Sequence, residues 1–212
     1  MGKLTRNKIM IMSTILFTQV GCAGMTWKKA LKENTSSGYY KFLQRHPNCQ
    51  FKNSASKMLE QFKFSEIDIL FLFTDFWQED EAEARDSASK YLYKYVKEFI
   101  IPQLNQQGFI ASYIGFSGYV QPQVDHAVLT IEYKELQGER YQPFGHGTKI
   151  WTTLILVEPV SLEVIYRQTL YAETSSRVEG SWANFGLSES ARENLAYQFR
   201  GVTINLPKYL KK

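Results

Sequence analysis

Apolar residues recur along this chain with two different periods, and their succession outlines a fold. From Thr26 to Phe62 the spacing is helical: Trp27, Ala30 and Leu31, then Tyr39, Tyr40, Phe42 and Leu43, then Phe51, Ala55, Met58 and Leu59. His46-Pro47-Asn48 interrupts the pattern, since Pro47 disfavours helix at the residue before it. The spacing predicts a small helical hairpin. A linker near Lys63–Glu66 then leads to Ile67–Phe73, an almost continuous apolar run that predicts a central strand buried on both faces. A long helix follows, roughly Glu79 to Gln107, with Ala84, Ala88, Leu92, Tyr95, Val96 and Phe99 forming its apolar stripe. Pro102 should kink its last turns, and Gly108 is placed to end it as the left-handed C′ residue.

Beyond that helix the period changes to two. Phe109–Ile114 reads as a second strand, closed by Gly115-Phe116-Ser117-Gly118, and His126–Leu136 as a third. In the third, Ala127, Leu129, Ile131 and Tyr133 face inward, while Thr130, Glu132 and Lys134 face outward. Thr148–Glu158 and Leu162–Thr174, split by Pro159-Val160-Ser161, form the clearest hairpin signal in the chain. Leu162, Val164, Tyr166, Leu170 and Ala172 share one face of its second strand, and Glu163, Arg167, Thr169 and Glu173 share the other. One polar face means a sheet covered on one side. A last helix should start near Ser188 or Ser190, where Ser190-x-x-Glu193 can form a capping box, with Ala191, Leu195, Phe199 and Val202 on its apolar face. The expected fold is α+β. It is a two-layer domain with about five strands, mostly antiparallel, and two helices on one face, preceded by the small helical hairpin. The inward face of the second hairpin strand should pack on Leu92, Tyr95 and Phe99 of the long helix and on Leu195 and Phe199 of the last.

The amino terminus changes where such a domain would live. Lys3, Arg6 and Lys8 make a positive n-region, and Ile9–Val20 an apolar run of about twelve residues, too short to span a bilayer. The run ends in Thr18-Gln19-Val20-Gly21-Cys22-Ala23, which resembles the lipobox of bacterial lipoproteins. That resemblance implies a signal peptide over 1–21 and a mature chain beginning at acylated (palmitate-bearing) Cys22. Gln19 stands where the family usually has an aliphatic residue, and the alternative is ordinary cleavage after Ala23. Losing 1–21 removes Lys3, Arg6 and Lys8 and no acid, so the formal net charge falls from +4 to +1. A near-neutral mature chain argues against a nucleic-acid footprint. Only Cys22 and Cys49 are present. With Cys22 acylated, Cys49 has no intramolecular disulfide partner. The implied division is 1–21 signal peptide, 22–62 lipid-anchored helical segment, and 63–212 α/β domain.

The string from Trp27 through Ala30, Asn34-Thr35, Tyr39, Phe42-Leu43 and His46-Pro47 to Ala55 and Leu59 resembles one short tetratricopeptide-like unit of the kind that follows the lipidated Cys in many envelope proteins. A solenoid would need several. Candidate chemistry is sparse. Ser117 lacks the Gly two places on that a nucleophile elbow needs, because Tyr119 stands there. His46, His126 and His146 lack the spacing and Cys partners of a metal site, and no metal or cofactor is expected. The acids Glu79, Asp80, Glu81 and Glu83 read as a solvated first helical turn.

Aromatic residues make up 15% of the chain, and several fall on expected loops. Phe76, Trp77, Phe116, Tyr119, Trp182 and Phe185 are the candidate partner-binding set. The lipobox-like end, the strand pattern of 147–165 and the closing helix before Leu206-Pro207 resemble, loosely, the small α/β domains of outer-membrane lipoproteins that assist envelope assembly. Examples are the lipopolysaccharide-assembly, curli-secretion and peptidoglycan-synthase-activating lipoproteins. The resemblance implies a periplasm-facing outer-membrane lipoprotein, or otherwise an exported periplasmic one. It would be a non-catalytic binding or assembly accessory whose partners are the membrane, through the anchor, and another envelope protein. The alternatives are a carrier of a lipid or small apolar ligand, and a periplasmic hydrolase in which Ser117 or an acid meets one of the histidines.

Overall fold

The computed structural model describes residues 22–74, 81–116, 125–137, 146–176 and 189–212. The chain divides into two compact units, the first ending at Lys63 and the second running Phe64–Lys211. In the first unit the helical spacing yields three helices rather than a hairpin: α1 (22–33), α2 (Ser36–Arg45) and α3 (Lys52–Glu60). Local backbone chemistry makes the extra break. Asn34 adopts φ 45° just after α1, and the Thr35 side chain accepts from the Gly38 amide to cap α2. Tyr39, Phe42, Ala55, Leu59 and Phe62 are buried.

The second unit is α+β. Among the described residues five strands form one mixed sheet in the order β2-β1-β3-β4-β5. These are β1 (Glu66–Thr74), β2 (Ile110–Phe116), β3 (His126–Gln137), β4 (His146–Val157) and β5 (Val164–Ser176). β1 is an interior strand, second in that order, and pairs parallel with both β2 and β3, while β3, β4 and β5 are antiparallel. The parallel pairing of β1 with β2 follows from the helical crossover between them, which returns the chain to the same end of the sheet.

That crossover is α4 (Glu81–Tyr95), a π-helical turn over Val96–Ile100, and α5 (Ile101–Gln106). The irregularity expected at Pro102 appears as this π turn immediately before it, where the missing proline N–H already interrupts the ladder. Gly108 closes the helix with φ 86°. Its amide donates to Asn105 O (2.9 Å) and that of Phe109 to Leu104 O (3.2 Å), the crossed pair of a Schellman cap. α6 (Glu189–Arg200) covers the other side of the same face. Ser190 lies one residue inside that helix, so it does not occupy the cap position.

The core lies between these helices and one face of the sheet. Ile67, Ile69 and Phe71 of β1 meet Ala127, Leu129, Ile131 and Tyr133 of β3, and Ile150, Leu154 and Leu156 of β4, beneath Ala88, Leu92, Val96, Leu195 and Phe199. Leu170 and Ala172 of β5 join them. Leu162 and Val164, expected on this face, do not: they are 52% and 51% exposed. Leu162 belongs to the turn, with φ 59°, and an irregularity in register pairs Val164 with Val157, which faces away from the core, so Val164 leaves the inward row. Gln168 interrupts the row as expected, with its side-chain oxygen accepting from the Tyr166 hydroxyl. On β1, Leu70 is buried but Asp68 and Leu72 on the same side are only half-buried, so the second face of β1 is less enclosed than its apolar run predicts.

Val202, expected on the face of the last helix, lies beyond it in an extended strap. Side chains hold this strap where a strand would use backbone. Gln103 donates to Val202 O (2.8 Å) and accepts from the Ile204 amide (3.1 Å). Gln107, one helical turn on, donates to Ile204 O (2.5 Å) and accepts from Leu206 N (2.8 Å). The remaining amide hydrogens go to Phe99 O and Gln103 O of the helix itself. Each glutamine thus acts as one peptide unit of a missing strand, and Val202, Ile204, Leu206 and Leu210 are buried under it.

Candidate functional site

Cys22 is the first of the described residues, lies in α1 and is exposed, with a free thiol. The helix behind it is fixed by aromatic packing. Trp27 stacks on Phe51 at 5.6 Å between centroids and 12° between planes, and also meets Phe42 at 5.3 Å and Tyr39 at 6.0 Å. Tyr39 donates to Asn34 Oδ1 (2.9 Å). The Thr26 hydroxyl reaches the Cys22 carbonyl (2.9 Å) and lies 2.8 Å from His46 Nε2. His46 ends α2, in agreement with its position before Pro47.

The other expected site residues are less accessible to description. Phe76, Trp77, Tyr119, Trp182 and Phe185 lie outside the described residues, as do Ser117, Glu79 and Asp80. Phe116 closes β2, Glu81 and Glu83 open α4, and His146 opens β4. His126 is engaged by two carboxylates, with Nδ1 3.2 Å from Asp68 Oδ2 and Nε2 3.6 Å from Glu66 Oε2. Glu66 is its register partner on β1 and Asp68 lies diagonally across. Among the described residues no group of three or more His, Cys, Asp or Glu side chains is arranged to hold a metal ion.

The turn between β4 and β5 is built on a buried carboxylate. Glu158 is 0% exposed and accepts from the amides of Val160 and Ser161, both at 2.8 Å, and from the Ser161 hydroxyl. This pins the apolar tip formed by Val160, Leu162 and Val164 in solvent.

The face of the sheet turned away from α4 and α6 holds the residues that sequence reasoning missed. Trp151 and Tyr171 are register partners on β4 and β5, with ring centroids 5.1 Å apart and planes at 43°. Tyr171 is 40% exposed. Its hydroxyl donates to Glu173 Oε2 (2.5 Å), and Glu173 lies 3.5 Å from Lys149 Nζ. That hydrogen bond pulls the Glu173 carboxyl below its ordinary pKa, helped by Lys149, and pushes the Tyr171 hydroxyl above its own. On the next row Thr153 and Thr169 hydroxyls are 3.1 Å apart. Parity puts Tyr171 in phase with Thr169 and Glu173, and Trp151 out of phase with Ile150 and Thr152, but only the register sets the two opposite each other.

No family model matches the chain. No curated protein matches it in sequence. Solved structures similar to it include a minor lipoprotein from Acinetobacter baumannii, at 14% identity and TM-score 0.35, covering 65% of this chain and 91% of that one. Lipoprotein GNA1162 from Neisseria meningitidis matches at 14% identity and TM-score 0.34, covering 55% and 88%. The hypothetical protein CT253 from Chlamydia trachomatis matches at 11% identity and TM-score 0.41, covering 65% and 92%.

Proposed function

We propose that this chain is an exported lipoprotein, acylated on Cys22 and facing the periplasm from the outer membrane, that serves as a non-catalytic binding accessory through protein contacts. The observation that carries the reading is the junction at Gly21-Cys22. A positive n-region and a short apolar run end there, and the cysteine is exposed in α1. A short apolar run flanked this way suits an export signal better than a spanning segment. Among the described residues no helix is long and apolar enough to cross a membrane.

The partner-facing part of the reading rests on Phe76, Trp77, Phe116, Tyr119, Trp182 and Phe185, which the sequence places on expected loops. Crosslinking in intact membranes followed by pull-down tests it. A reproducible envelope protein lost on changing Trp77 and Trp182 to Ala together is the expected result. Recovery of lipid alone would favour the carrier instead. A Cys22→Ser chain that still sediments with membranes would remove the anchor from the account.

A further inference from the structure

The turn between β4 and β5 has two features that a connection resting in water does not require. The first is that every amide hydrogen from 158 to 163 has a partner inside the turn. Glu158 N donates to Glu163 O (2.9 Å) and Leu162 N to Glu158 O (3.1 Å). Val160 N and Ser161 N donate to the Glu158 carboxylate, and Glu163 N to Ser161 Oγ (3.3 Å). Pro159 has no N–H to satisfy. The second is that Leu162 adopts φ 59°, in the left-handed region where glycine or asparagine is at ease and leucine is strained. The fold gains no burial in return, because Leu162 is 52% exposed, with Val160 and Val164 beside it at 46% and 51%. Water would satisfy free amides, and a glycine at 162 would fold more easily.

We propose that Val160, Leu162 and Val164 form a tip that enters the boundary between headgroups and acyl chains of a lipid bilayer. Leaving water is costly for a polar group that loses its partner, and in lipid a backbone donor must be satisfied internally. The donors of this turn meet that condition before any bilayer is reached. At the boundary itself, water still serves the carbonyls. Charge is withdrawn from the tip: Glu158 is 0% exposed, Glu163 is half-buried, and no Lys or Arg occurs from 158 to 166. The three exposed side chains are all aliphatic. A protein hot spot is built instead on Trp, Tyr and Arg, with Leu and Val under-represented, which favours lipid over a protein pocket. Glu158 already fixes the loop, so little freedom is lost on entry. The contact uses residues of the hairpin alone and is independent of whether Cys22 is acylated.

Photocrosslinking from the tip tests this. The full chain, with a benzophenone amino acid at Val160, is held on phosphatidylcholine vesicles by a carboxy-terminal His tag and a nickel-chelating lipid. The tether makes the outcome independent of the anchor at Cys22. It also leaves the domain at the same end of the sheet as the turn, since Lys211 bridges Phe64 just before β1, and the start of β1 lies beside the start of β3 and the end of β4. Irradiation should give a lipid adduct at 160, and none from the same label at exposed Tyr197 on α6. Leu162→Asn should weaken the hold of the tip on lipid about tenfold, the scale of returning one leucine side chain to water, and cut the adduct severalfold. The same change should leave thermal unfolding where it is or raise it, because asparagine suits φ 59°. Lower stability with an undiminished adduct would mean that Leu162 serves the fold, and would overturn the proposal. So would tethered protein that gives no lipid adduct at 160, or a protein adduct in place of lipid when the label is used in whole membranes.

Discussion

At Leu170 and Ala172 the inward side of β5 is sealed beneath α6, whereas at Val164, on the same strand, the apolar side chain stands in solvent. Leu162, just before it, is exposed as well. The residue types are alike in the two halves, and what differs is the register: the extra residue at Ile165 turns Val164 off the inward row, and Ile165 packs against the core instead. α6 lies over the far half, and there it also supplies the edge. Gln198 donates to the Tyr171 carbonyl and Asn194 to that of Glu173 (3.5 Å), so part of an otherwise unpaired strand edge is closed by side chains. Toward the turn, control passes from packing to the Glu158 carboxylate, which fixes the chain by hydrogen bonds and leaves Val160, Leu162 and Val164 outside. Alternation specifies which way a side chain points. It holds only while the register is unbroken, and here the register shifts between Leu156 and Val157.

The most severe way to break the sealed half is Phe199→Ala. Phe199 is fully buried against Tyr95 (ring centroids 5.5 Å), and its loss should cost about 3–5 kcal/mol in a urea melt. Leu170→Ala should cost about 2–5 kcal/mol, against under about 0.5 kcal/mol for Val164→Ala on the same strand. Equal losses at the two positions would mean that the turn half is covered too.

The strap sharpens the comparison between backbone and side-chain closure. Gln107→Ala leaves Ile204 O and Leu206 N without their partners and should cost about 1–3 kcal/mol. Amide exchange at Leu206 should quicken with it. A smaller effect of opposite sign is expected at Thr152, buried at 0% exposure, whose hydroxyl has no partner among the described residues. Thr152→Val keeps the shape and removes the unsatisfied group, so thermal unfolding should shift upward by the equivalent of about 1 kcal/mol. A clear loss instead would show that the hydroxyl has a bound partner. Smallest of all is Arg167→Ala on the open face, expected to cost under about 0.5 kcal/mol.

Much of this architecture is legible in the sequence, and particular residues show why. The inward set of β3, the C′ role of Gly108 and the need of Gln168 for a partner all follow from local chemistry: pleat parity, a left-handed backbone and an amide on an apolar row. Three features do not follow. The third helix of the first unit depends on Asn34 adopting φ 45°, a choice that helical periodicity does not record. Leu162 falls in the turn because Glu158 folds back onto the amides of Val160 and Ser161, a tertiary hydrogen-bond pattern invisible to alternation. The strap depends on Gln103 and Gln107 meeting residues about a hundred positions later, beyond any local signal. The candidate site divides similarly. Cys22 is marked by what precedes it, while Tyr171 has the right parity but gains meaning only from Trp151 across the hairpin.

The proposed role would not survive without the lipid on Cys22. The mass of the amino-terminal peptide, taken from protein purified out of membranes, tests this most directly. The account predicts a peptide that begins at Cys22 and carries acyl chains. A peptide with intact Met1, or an unmodified one beginning at Gly24, would contradict it.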